Sequence, residues 1–123
     1  MRYYLMAAAG LHVLFMAAEL FPWRLPVLLQ IASKKLPQLN SNGERFTDAQ
    51  RKLVATVVHN AGIYNGILAG GLFWAAFGGD PARDVARVML SGAAVAGVFG
   101  AATLRSPVPA VQAVVGIVGL ILV

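Results

Sequence analysis

Residues 5–23 read LMAAAGLHVLFMAAELFPW, an apolar run of helix-spanning length interrupted by His12 and Glu19. A cleaved secretory signal has an uninterrupted apolar core of about 7–15 residues, followed by a mature domain of ordinary polarity. This run is longer, carries an imidazole and a carboxylate, and is followed by more apolar sequence. It therefore reads as a retained first membrane helix. His12 and Glu19 are seven residues apart, two helical turns, and so share one face of it.

Outward from that run, residues 24–52 form the one sizeable polar segment, with Arg24, Lys34, Lys35, Arg45, Arg51 and Lys52. Within it, Pro26 to Leu36 places Leu28, Leu29, Ile31, Ala32 and Lys35 at spacings that suit a short amphipathic helix lying in the headgroup layer. Asn40-Ser41-Asn42-Gly43 reads as a turn. Thr47-Asp48-Ala49-Gln50 matches a capping box and starts a second helix that runs to about Phe77, where Gly78-Gly79 ends it. Asp80-Pro81 restarts the chain as a helix, because Asp caps free N–H groups and Pro at the first position has no N–H to satisfy. Ser106-Pro107 repeats the device before a last run without any charge, near the lower length limit of a span. The expected fold is all-α: one integral membrane domain over 1–123, a four-transmembrane-helix bundle with helices at about 5–23, 48–77, 81–104 and 107–123. A short amphipathic interfacial helix lies in the first loop.

Composition points the same way. Of 123 residues 59% are hydrophobic and 12% charged, with a mean hydropathy of +0.71, whereas soluble domains carry about 25% charged residues. The net charge of +5 arises from bases that flank apolar runs, which suits anionic lipid and topology setting and not nucleic acid. The absence of cysteine excludes disulfides, thiolate zinc sites and dithiol chemistry. The bases of the 24–52 segment with Arg105 outnumber Arg2, Arg83 and Arg87 on the other side. By the positive-inside rule the first and third loops are therefore cytoplasmic and both termini outside.

Gly62, Gly66 and Gly70 recur every four residues on the second helix, as do Gly92, Ala96 and Gly100 on the third, stripes that let backbones approach closely. They also suit oligomerisation, with a second copy or with a partner in a membrane complex. The polar residues inside the apolar runs are the candidate site. At about 1.5 Å per residue from the cytoplasmic ends, Glu19, His59, Asn60 and Gln112 fall in one layer roughly 6–10 Å deep. His12 and Asn65 fall in a second layer roughly 16–18 Å deep, and Tyr64 is a further pocket candidate. Such groups normally face a bundle interior, and an intramembrane carboxylate points to a function. Three functions fit: a module binding or transporting a small molecule or lipid, a membrane-embedded enzyme in which Glu19 and a histidine exchange a proton with a lipophilic substrate, and a structural subunit. No short histidine spacing indicates a metal, and no glycine-rich phosphate loop or nucleotide motif indicates a cofactor.

Leu11-His12 through Glu19-Leu20-Phe21 and Trp23, the string Asn60-Ala61-Gly62-Ile63-Tyr64-Asn65-Gly66 with Leu68-Ala69, and then Gly97 to Thr103 and Gln112 resemble a small bacterial membrane-protein family catalogued only as a domain of unknown function. The resemblance covers nearly the whole chain. That family favours Gln at the place of Ala61 and Tyr at the place of Phe99. It implies a four-helix protein of the bacterial inner membrane and brings no activity with it.

Overall fold

The Leu5 N–H donates to the Met1 carbonyl at 3.1 Å, so the first helix begins ahead of the apolar run and α1 spans Arg2–Leu20. The structure, a computed structural model, describes residues 1–21, 47–104 and 107–123, and gives only the backbone for residues 48, 50, 51, 54 and 104. α1 stops three residues short of Trp23, for Phe21 precedes Pro22, and a residue before proline is disfavoured in the helical region. α2 spans Asp48–Phe77 directly after Thr47, and the Gly78 N–H closes its last turn on the Trp74 carbonyl at 2.7 Å. α3 spans Ala82–Leu104. Pro81 stands just outside it: its carbonyl receives the Val85 N–H at 3.2 Å and starts the ladder, so it occupies the cap in place of the first helical position. α4 spans Pro107–Leu122.

Among the described residues the secondary structure is thus four helices and no strand. The amphipathic segment at Pro26 to Leu36, the turn at Asn40 to Gly43, Trp23 and Arg105 lie outside the described residues. Arg2–Leu20 and Ala82–Thr103 are long and apolar enough to cross a membrane, and Pro107–Leu122 is apolar but shorter. Only 22% of each of the two longer spans is buried.

The chain divides into two units. Unit 1 comprises Met1–Val13 and Gly66–Val123. Its core is built of small and unbranched-stem residues: Leu5, Ala8 and Ala9 from α1, Leu72, Ala75 and Ala76 from α2, Ala86 and Leu90 from α3. Between α3 and α4 the backbones themselves meet. A methyl group on Gly97 would lie 2.6 Å from Ala113 Cα, and one on Gly116 would lie 2.7 Å from the Leu90 carbonyl oxygen. Gly119 instead makes room for side chains, those of Leu90 and Tyr4. Close approach of this kind is what holds helices together where lipid removes the hydrophobic drive. The Tyr4 hydroxyl donates to the Val115 carbonyl at 2.5 Å, and the Arg2 guanidinium lies 4.3 Å over the Phe77 ring. Unit 2, Leu14–Asn65, contains the later part of α1 and the earlier part of α2.

Candidate functional site

In unit 2, glycine decides how near α1 comes to α2. A methyl group on Gly62 would sit 3.0 Å from Leu20 Cγ and 3.2 Å from Glu19 Cβ, so only a bare backbone lets these two residues lie against α2 at that height. One turn on, Asn65 Nδ2 donates to Glu19 Oε2 at 2.7 Å. Asn65 is 7% exposed and Glu19 half-buried. The bond has the length of a charge-assisted contact, and it fixes the orientation of a carboxylate that is an acceptor only. Among the described residues the other oxygen, Oε1, receives no hydrogen bond.

Beside this pair, Leu20, Thr56, Val57, His59, Asn60 and Ile63 line an open cleft of roughly 500 Å³. Thr56, His59, Asn60 and Ile63 stand at i, i+3, i+4 and i+7, one face of α2. That periodicity is the signal by which Thr56, not singled out from the sequence, was open to discovery. The Thr56 hydroxyl donates to the Lys52 carbonyl at 3.0 Å. At about 100° per residue Asn65 stands about 180° round α2 from Thr56, so the carboxylate and the cleft belong to different faces of the helix.

The structure therefore joins Glu19 to Asn65 and places His59 and Asn60 in the cleft. Tyr64 is 61% exposed and lines neither. His12 belongs to unit 1, where it is fully buried, and Gln112 is half-buried on α4 in the same unit. Thr103 spends its hydroxyl on its own helix, donating to the Phe99 carbonyl at 2.8 Å. Of the two small-residue stripes, Gly62 and Gly100 meet neighbours tightly, the latter 2.8 Å from Pro109 Cβ for an added methyl. Gly92 makes an ordinary contact with Leu68, Gly70 has nothing within 4 Å, Ala96 is exposed and Gly66 half-buried. Among the described residues no three His, Asp or Glu side chains gather as a metal ion would require.

No curated protein and no solved structure matches this chain. A family model described as a protein of unknown function (DUF1304) matches residues 6–123.

Proposed function

The chain belongs to the DUF1304 family, and from its own residues we propose that it is a multi-pass inner-membrane protein that binds a small molecule or lipid at the polar groups of unit 2. The membrane part of this reading is supported by what the helices expose. Leu14 on α1, Ile63 and Ile67 on α2, Val95 and Phe99 on α3 and Ile121 on α4 are all more than half exposed. Soluble monomers seldom carry apolar surface on every element. All four helices cross the bilayer, with the basic 24–52 segment and Arg105 on the cytoplasmic side.

The observation that carries the binding part is the Glu19–Asn65 bond. A charged side chain costs about 2.5–3.5 kcal/mol at the centre of a membrane helix and less toward its ends. Half that central cost already exceeds the roughly 0.6 kcal/mol that an interhelical hydrogen bond contributes on average. With Glu19 charged, the pair is a net loss as a packing device alone, which favours a carboxylate kept for a ligand and oriented by Asn65.

Native mass spectrometry of the protein extracted with its lipids tests this. A molecule of reproducible mass is expected on the wild type and is expected to be lost in Asn65→Leu and weakened in Glu19→Gln. A bare wild-type protein, or variants that fold and retain the same molecule, would remove the binding reading.

A further inference from the structure

We infer that the cleft of unit 2, on a face of α2 other than that of the Glu19–Asn65 pair, takes the phosphate head of an anionic phospholipid, an inference that rests on the membrane part of the reading above. One stripe of α2 supplies its polar wall. Thr56, His59 and Asn60 line the cleft, and Lys52, exposed one turn before Thr56, continues the same stripe toward the helix start. Among the described residues no acidic side chain lines it. Glu19 precedes the lining residue Leu20 on α1, but its carboxylate is engaged by Asn65 on another face of α2.

The donor inventory selects the head. A lysine ammonium has three donors and no acceptor, and the Asn60 amide adds two further N–H groups. The Thr56 hydrogen is already given to the Lys52 carbonyl, which holds the side chain back on its own helix. Among the described residues such a wall matches phosphate and ester oxygens and has no carboxylate for an ammonium. The depth agrees as well. Lys52 lies near the start of α2, where a spanning helix enters the bilayer, and Asn60 lies about 12 Å further along. A phosphate at the Lys52 ammonium would put the glycerol esters toward Asn60, with acyl chains against Leu20, Val57 and Ile63.

The protein in mild detergent is titrated with phosphatidylglycerol, phosphatidylethanolamine and phosphatidylcholine of the same chains, and bound lipid is counted by native mass spectrometry. The wild type is expected to prefer phosphatidylglycerol, and Lys52→Gln to weaken that retention about fivefold. Arg83→Gln, which loses the same charge on α3 outside unit 2, is expected to retain it unchanged. Equal retention of the three lipids, or equal weakening in both variants, overturns the phosphate inference while leaving lipid binding intact. Displacement of the lipid by soluble glycerol phosphate would overturn the choice of a lipid. A wild type that holds no molecule at all removes both readings together.

Discussion

Replacing Gly116 by alanine sets one methyl group against two stretches of backbone. The methyl would lie 2.7 Å from the Leu90 carbonyl oxygen and 2.8 Å from Ala94 Cα, where ordinary contact begins near 3.4 Å. The Ala94 backbone nitrogen lies closer still and none of these neighbours is a flexible side chain, so α3 and α4 must part by about 1 Å. A gap of that size forfeits about a quarter to a half of the dispersion energy of each facing atom pair. Overpacking of this kind costs about 1–3 kcal/mol, and replacing a helical glycine returns roughly 0.5–1 kcal/mol through backbone entropy. The net expectation is a loss of about 0.5–2 kcal/mol. Gly70→Ala is the internal control, because nothing lies within 4 Å of its methyl position and only the propensity gain remains. Equilibrium unfolding in mixed micelles, followed by helical circular dichroism, gives both values on one scale. The two substitutions are expected to differ in sign. Should Gly116→Ala prove as stable as Gly70→Ala, the backbone contact between α3 and α4 does not hold them and the packing account is wrong.

Gly62→Val is expected to cost about 1–3 kcal/mol and to part Glu19 from Asn65, read as a lower unfolding midpoint together with loss of any co-purified ligand. A double-mutant cycle of Glu19→Leu and Asn65→Leu is expected to give a coupling of about 0.6–1.7 kcal/mol, and a value near zero would deny the bond an energetic role. Because the chain has no cysteine, Asn42→Cys creates a single thiol, which is expected to stay unlabelled by an impermeant reagent in intact cells. Ready labelling would reverse the orientation.

The helical class was legible because the apolar runs are long and punctuated by Gly78-Gly79 and Ser106-Pro107, features that act locally. At Asp80-Pro81 local rules reach the right junction but put the helix start one residue early, since hydrogen bonding there makes Pro81 the cap. Glu19 stood out as a charge in an apolar run. Its partner did not, for helical periodicity says which residues share a face and nothing about which face of another helix they meet. The same gap hid Gly97, Gly116 and Gly119. A four-residue spacing selects Gly92, Ala96 and Gly100, whereas the crossing of α3 with α4 decides that Gly97 faces Ala113. The separation of Asn65 from the His59–Asn60 face follows from rotation about α2, which estimates of depth alone leave out.

The bond from the Tyr4 hydroxyl to the Val115 carbonyl joins residues 111 positions apart, and Val115, Leu120 and Val123 pack on the same core as Leu5. At a synthesis rate of roughly 5–20 residues per second, the far side of that contact is made roughly 5–20 s after the near side. For all of that interval α1 has no α4 to rest on, so its Tyr4 hydroxyl and the flank of Leu5 must be sheltered by something other than their final neighbours. The order of manufacture thus makes the closure of unit 1 a late event.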